Sequence, residues 1–327
     1  MSKYKSINNL AEELSKLNIP HNDELIKLVP LLDLLEKVNP CNQEYEIIGN
    51  NIIISYFLKL NLLNFKNLFP LKVKVQVIGL PVSVCLSGYL GNERDIENSI
   101  KNRKGLKVLL NGDSPFKGGG KTLSTFVFEN RFSDFKGYLN DLRSPYRRRV
   151  NKALRQREKL IIRILPRCEF SKEHYNLYLS IMNRTENPLE TLPIEFFQQY
   201  DAELYEFIDK ETNRTIGFIQ LKELGNKLYF LFGGFNKEDV DKYDIYYNML
   251  LKIIEIGIEK CVKEIEFGQT ADESKLKIGC KEKYKYLYIH HSNPFLNFFI
   301  QLLVPMFTYG TYKTKHHVFK YSNEDLI

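Results

Sequence analysis

The chain has 327 residues, 43% hydrophobic and 27% charged, with 47 Lys and Arg against 40 Asp and Glu. Two domains of about 150 residues are expected at that length, and the balance is that of an ordinary soluble globular protein. Met1 to Asn18 is polar and carries no apolar cleavable segment, and the five cysteines (Cys41, Cys85, Cys168, Cys261, Cys280) form no C-x-x-C pair, so a cytoplasmic protein with reduced thiols and no disulfide framework is predicted.

Residues 1 to 45 read as two short helices, LAEELSKL and LLDLLEKV, broken by Pro20 and ended by Pro30 and Pro40. Each has one apolar face, which predicts an N-terminal helical appendage docked on a core. From Tyr45 to Phe128 the pattern turns to strands: Lys72 to Leu86 is rich in β-branched residues, and Gly105 to Gly112 reads as a buried strand ending in a turn. Asp95 to Asn102 fits a connecting helix. The loop Ser114 to Thr122 (SPFKGGGKT) invites a nucleotide-binding reading, but a Walker A motif needs glycine where Pro115 stands. The strand-like LSTFVFE follows in place of a helix, so a loop is expected.

Between Arg143 and Lys159 there are eight basic residues and one acid. The remaining 39 basic and 39 acidic residues cancel, so this segment accounts for the whole net charge of +7. Ser144 and Pro145 suit a helix start. Arg148, Lys152, Arg155 and Lys159 then share one face, with Arg147 beside them and Val150, Ala153 and Leu154 on another. The choice is between a solvated face and a site for an anionic partner: donor phosphates, transfer RNA or an anionic lipid surface.

After Pro166 a second unit is expected. Phe170 to Met182 is helix-like, Glu190 to Phe197 (ETLPIEFF) has proline near the start of another helix, and Leu204 to Asp209 pairs as a hairpin with Thr215 to Leu224. Next comes the short aromatic strand Tyr229 to Phe235 (YFLFGGF), whose Gly233 and Gly234 leave its backbone open to a ligand or mark a bulge. Tyr246, Leu250, Ile253, Gly257 and Cys261 draw the stripe of a long helix packed on a sheet. Ile265 and Phe267 alternate with Glu264 and Glu266 in a further strand. Thr270, with Glu273 three residues on, predicts a capping box.

The order strand, helix, strand, capped helix, strand across Tyr229 to Gly279 resembles the acyl-donor half of the GNAT acyltransferase superfamily. The wording EFGQTADESKLKIGC, with FSDFKGYLNDLRSPYRRRVNKAL (Phe132 to Leu154) and ETLPIEFF, is most similar to the branch that holds the Fem-type peptidoglycan aminoacyltransferases and uncharacterised acetyltransferase-like proteins. The resemblance covers roughly residues 70 to 320. It implies a mixed α+β protein of two GNAT-like lobes, each a twisted mixed sheet flanked by helices. Residues 46–166 would form a degenerate first lobe, 167–291 the acyltransferase lobe, and 292–327 a tail returning to the first. The implied reaction moves an acyl or aminoacyl group onto an amine of an acceptor that the sequence does not name.

Within that frame Glu266, Gln269 and Lys275 are the candidate catalytic residues, as base, substrate-orienting group and stabiliser of negative charge. Gly233, Gly234, Phe235, Tyr243, Tyr247, Thr270 and Asp272, with Tyr246 beside the tyrosines, are candidates to line the donor site. For the 269–275 cluster the alternative is a capped helix with an exposed face; for the tyrosines it is the core. Coenzyme A is the usual GNAT donor, but its pyrophosphate loop is replaced here by Asn236 to Asp244 (NKEDVDKYD), with four acids and no glycine. That departure makes an aminoacyl-tRNA or a carrier-bound acyl group the alternative donor. His290 and His291 share a strand, as His316 and His317 are expected to, so each doublet splits across two faces and no metal is predicted. The apolar tail Asn293 to Phe307 is too short to span a membrane; a helix buried against the first domain is expected, with a membrane-peripheral, lipid-touching surface as the alternative. A non-catalytic protein that binds RNA or an anionic surface through 143–159 is the rival to the enzyme.

Overall fold

In a computed structural model, residues 2–16, 22–61, 72–82, 84–184, 190–310 and 316–321 are described. In chain order the first elements are β1 (Ser2–Tyr4), α1 (Ile7–Lys16), α2 (Asn22–Val38), β2 (Glu44–Ile48), β3 (Asn51–Asn61), β4 (Lys72–Ile78), β5 (Tyr89–Leu90), α3 (Glu93–Lys101), β6 (Leu106–Gly112) and β7 (Gly120–Lys121). Then come β8 (Thr125–Glu129), α4 (Phe135–Asp141), α5 (Ser144–Arg157), β9 (Leu160–Leu165), α6 (Lys172–Met182), α7 (Ile194–Gln199), β10 (Glu203–Asp209), β11 (Thr215–Leu224) and β12 (Lys227–Phe235). The last are α8 (Asp239–Tyr243), α9 (Ile245–Glu259), β13 (Glu264–Glu266), α10 (Asp272–Lys277), β14 (Lys281–Lys283), β15 (Tyr286–His291) and α11 (Pro294–Leu303), which runs into a 3-10 turn at Val304–Phe307.

These make two mixed sheets of one topology. The first has the order β1-β2-β3-β4-β6-β15-β7 and the second β14-β8-β13-β12-β11-β10-β9. In the first, β1 to β4 pair antiparallel, β6 adds parallel to β4 and β15 antiparallel to β6. In the second, β9 to β12 pair antiparallel, β13 adds parallel to β12 and β8 antiparallel to β13. The duplication that only the family resemblance suggested is thus drawn in the pairing. Each sheet closes with a strand from the far side of the sequence: β8 precedes the strands it joins, and β15 follows all of the other sheet.

The chain accordingly divides into one unit of Met1–Ser124 with Tyr284–Thr311 and another of Thr125–Lys283 with Tyr312–Ile327. The boundary expected at residue 166 lies instead before β8, and the one expected at 291 lies before β15. Locally strand-like segments do not declare which sheet they complete. Residues 1–45 are no separate appendage either, since β1 pairs with β2 and α2 runs straight through Pro30. Pro20 lies outside the described residues. His316 and His317 are not on a strand.

In the second unit α9 is apolar nearly all round because it is covered on both sides. Ile245, Met249, Leu250, Ile253 and Ile254 are buried in a core with Phe128, Tyr138, Val150 and Ile265. Each such side chain contributes about 1.5–3 kcal/mol by leaving water. Buried Asn248 ties two helices together, its amide donating to the carbonyls of Ala153 (2.9 Å) and Tyr243 (2.8 Å). The other face of this sheet carries an aromatic layer in which Phe170 stacks on Phe197 at 4.8 Å and Tyr178 meets Phe232 edge-on at 5.9 Å.

Helix α11 overturns an expectation. It belongs to the first unit, beside β15, yet none of its residues is buried. Of the apolar tail only Val304, in the turn after α11, is buried.

Candidate active site

Strands β12 and β13 part company early. They pair only from Lys227 to Tyr229 with Glu264 to Glu266, whereas β12 stays bonded to β11 as far as Phe235. Phe230 to Phe235 therefore have a strand on one side and a gap on the other, with backbone groups facing the gap that no strand satisfies. A bulge sets the bend: Gln220 faces Phe232 and Leu221 faces Phe230, so Leu231 is the extra residue. Among the described residues the first unit shows no such opening, since β4 stays paired with β6 to its last residue, Ile78.

Tyr246 underlies the gap. Its ring packs on Phe235 at 5.5 Å, and its phenol is held far above the ordinary value by burial, then by the nearby Cys280 thiol and Asp272 carboxyl. Those neighbours belong to the far wall, so Tyr246 spans from β12 to the segment after β13. Burial also pushes the Cys280 thiol far up, which leaves it no nucleophilic role at neutral pH.

The far wall is a turn held against its own preference. Gly268, Thr270 and Ala271 all have positive φ (70°, 64° and 53°). Glycine adopts this freely, but a β-branched threonine and an alanine cost of order 1 kcal/mol each. The wall is pinned by Phe267 N–H to the Phe126 carbonyl (2.9 Å) and by Lys275, whose ammonium donates to the carbonyls of Gly268 (2.9 Å) and Gln269 (2.7 Å). Lys275 is only 2% exposed. The predicted capping box is absent, since Ala271 is the N-cap of α10 without a side-chain bond and Glu273 pairs with Lys277 at 2.6 Å. Thr270 is exposed, and Asp272 and Gln269 are half-buried.

Glu266 ends β13 at the point where the strands separate. Half-buried, it accepts a hydrogen bond from the Thr125 hydroxyl on β8. Thr125 is 141 residues away in sequence, so no local signal pointed to it.

Two expected donor-site tyrosines lie in the core instead. Tyr243 is buried, its hydroxyl bonded to Asp209, whose carboxyl is lowered to about 2 chiefly by the Thr212 hydroxyl. Tyr247 is buried beneath the Arg149 guanidinium, 3.9 Å from its ring. The glycines serve packing: a Cβ on Gly234 would lie 2.6 Å from the backbone of Leu177 and Tyr178 in α6, and one on Gly233 would lie 2.7 Å from the Met249 methyl. Phe235 stands at the strand end, its carbonyl accepting from the Ser180 hydroxyl at 2.7 Å.

At the start of α9, where a GNAT pyrophosphate would sit, the residues do not fit one. Helix α8 abuts α9 directly, and Asp244, in left-handed conformation between them, turns its carboxylate to Arg149 at 2.7 Å. Asp239 pairs with Arg214 at 2.6 Å, and Glu238 is exposed. A diphosphate would meet carboxylates where glycine N–H groups are needed.

Helix α5 lies against α9. Two of its cations have partners that local sequence hid: Arg149 pairs with Asp244 and Arg157 with Glu255. Arg148, Lys152 and Arg155 are exposed, Arg147 is half-buried, and Lys159, beyond the helix end, bonds Gln156 at 2.7 Å. The helix is capped by Arg143 without a side-chain bond, one residue earlier than expected.

No family model matches the sequence, and no curated protein sequence matches it either. Among solved structures, FemX is similar over 92% of this chain and 100% of its own, with a TM-score of 0.53 at 13% identity. The fold is that of FemX. The two-lobed GNAT-like architecture expected from the sequence is therefore the one this chain adopts. A second match, at a TM-score of 0.52 and 10% identity, is the C-terminal domain of a protein named as a lysylphosphatidylglycerol synthetase from Agrobacterium fabrum, covering 92% of this chain and 96% of that one. A third, also at 0.52 and with 9% identity, is a conserved protein of unknown function from Bacteroides thetaiotaomicron, covering 88% and 98%. At such identities the likeness speaks to the fold alone.

Proposed function

We propose that this FemX-like chain transfers an aminoacyl group from a tRNA-borne ester to an amine, in the gap beside β12. The observation that carries the reading is the early parting of β12 and β13, which leaves the β12 edge open from Phe230 to Phe235. Carbonyl oxygen that becomes an oxyanion needs fixed donors, and strand N–H groups without a strand partner are such donors. Glu266 stands at the fork to take a proton from the attacking ammonium. The amine nitrogen then bonds to the carbonyl carbon, and as the adduct collapses the carbon–oxygen bond of the ester breaks and the tRNA hydroxyl leaves with the second proton that the nitrogen gives up. Gln269, at the rim, orients the acceptor. Lys275 acts indirectly by holding the wall, and Thr270 and Asp272 line it.

The donor follows from two features of the same unit. The start of α9 lacks the glycine N–H groups that cradle a diphosphate, and α5 beside it presents Arg148, Lys152 and Arg155 with Arg147 at their edge, a stripe that suits a phosphate backbone. Thermal unfolding separates the donors. Coenzyme A and its acyl esters are expected to leave the midpoint unchanged, whereas a ligand at about 100 times its Kd adds about 2.7 kcal/mol. A shift with any acyl ester would restore an acyl-CoA donor and end the tRNA reading.

Charge reversal of Arg148, Lys152 and Arg155 tests the stripe separately. Affinity for a charged tRNA pool is expected to fall, and the slope of log affinity on log salt to lessen by about one per cation removed. An unchanged slope would leave α5 as a solvated face.

If tRNA binds steeply with salt but no transfer occurs, the protein is a binder that kept the fold. The Fem-like lobe would then be a scaffold.

A further inference from the structure

Helix α11 is amphipathic and faces the wrong way for a soluble protein. Its polar residues recur at Asn293, Asn297 and Gln301, one stripe at four-residue spacing. That stripe points into the protein: Asn297 accepts from the His291 N–H at 3.0 Å, and Gln301 donates to the Ile289 carbonyl at 2.9 Å. Asn293 caps the helix, accepting from Phe295 N–H at 2.9 Å. The outward face is left to Phe295, Phe298, Leu302, Met306 and Phe307, which are 55–79% exposed. Most soluble chains do not leave five large apolar side chains together in water.

We infer that α11 and the turn after it dock this chain on an anionic lipid bilayer. The outward face offers no hydrogen-bonding group, whereas protein interfaces carry about one hydrogen bond per 100–200 Å²; hydrocarbon asks for none. No helix among the described residues is long and apolar enough to cross a membrane, so α11 lies in the plane of the interface.

Charge supplies the second argument. No Asp or Glu occurs between Glu282 and Glu324. Two exposed lysines stand on the segments that brace the helix: Lys104, whose neighbour Gly105 donates to Ser292 at 2.9 Å, and Lys117, next to Gly118, which abuts Gln301; Lys121, whose carbonyl accepts from Tyr309 N–H at 3.0 Å, lays its ammonium over the Tyr284 ring instead. Cations around an apolar face are what anionic headgroups attract. Beneath the turn, a mostly apolar groove of about 480 Å³, with Val108, Leu287, Ile289 and Met306 in its lining and Thr122 and Thr308 among them, continues the face inward.

This inference stands apart from the chemistry proposed for the second unit, and its test needs no substrate. Flotation of the full chain is measured with phosphatidylcholine vesicles, with and without phosphatidylglycerol, beside the double variant Phe298→Glu, Leu302→Glu. The parent is expected to float with phosphatidylglycerol vesicles, less in high salt. The variant is expected to lose roughly tenfold or more of that binding, with an unchanged melting temperature because neither side chain is buried. Equal flotation of parent and variant, or no flotation of the parent, overturns the proposal. So does a parent that is dimeric without vesicles and turns monomeric in the variant, since the face would then cover a second copy.

Discussion

Replacing Glu266 by Gln is expected to slow aminoacyl transfer by about 10²–10⁴, the usual worth of a positioned general base, while leaving the melting temperature close to the parent's. Gln keeps the oxygen that accepts the Thr125 hydroxyl, so the wall of the gap stays in place. What it removes is the capacity to take a proton. A charged tRNA pool as donor and glycinamide as surrogate amine give the readout, with kcat falling and KM for the tRNA holding. A variant as fast as its parent would remove Glu266 from the proton-transfer role.

Gly234→Ala is expected to cost about 1–3 kcal/mol or more, lowering the melting temperature by roughly 2–4 °C per kcal/mol for a unit of this size. The added carbon meets main chain of α6 at 2.6 Å, and a helix backbone does not step aside as a side-chain tip does. Gly233→Ala is expected to cost less, because its nearest neighbour is the flexible end of Met249. Thermal unfolding of the two variants checks the order. If Gly234→Ala melted like its parent, close packing would not be the reason for glycine there, and a ligand passing along the strand would become the better explanation.

The second unit's helices illustrate how function and packing divide residues of one type. Of the three tyrosines around the start of α9, only Tyr246 packs on Phe235 at the β12 edge: Tyr243 ends α8, ahead of the left-handed Asp244, and Tyr247 follows Tyr246 on α9 turned by about 100°. Tyr243 and Tyr247 turn to Asp209 and to the α5 side. Spacing alone gave all three an equal claim.

Much was legible in the sequence because it is set by local rules. The stripe from Tyr246 through Ile258 specified α9, the alternation at Ile265 and Phe267 specified β13, and the glycine-marked YFLFGGF specified the strand whose edge is open. From their order the GNAT-like lobe could be read. The absence of a diphosphate loop was equally plain, since four acids without a glycine are wrong for it wherever the chain goes.

Tertiary structure decided what depends on partners far away in the chain. Strand propensity says that Thr125–Glu129 and Tyr286–His291 extend, but only hydrogen bonding across more than a hundred residues sends each to the other half's sheet. The +7 stripe looked unbalanced because Asp244 and Glu255 lie about a hundred residues from Arg149 and Arg157. The apolar run of α11 read as a buried helix, because the sequence does not tell on which side of it the protein lies. Periodicity fixes the angle between the two faces of a helix; where the rest of the fold stands is decided by the neighbours that satisfy Asn297 and Gln301.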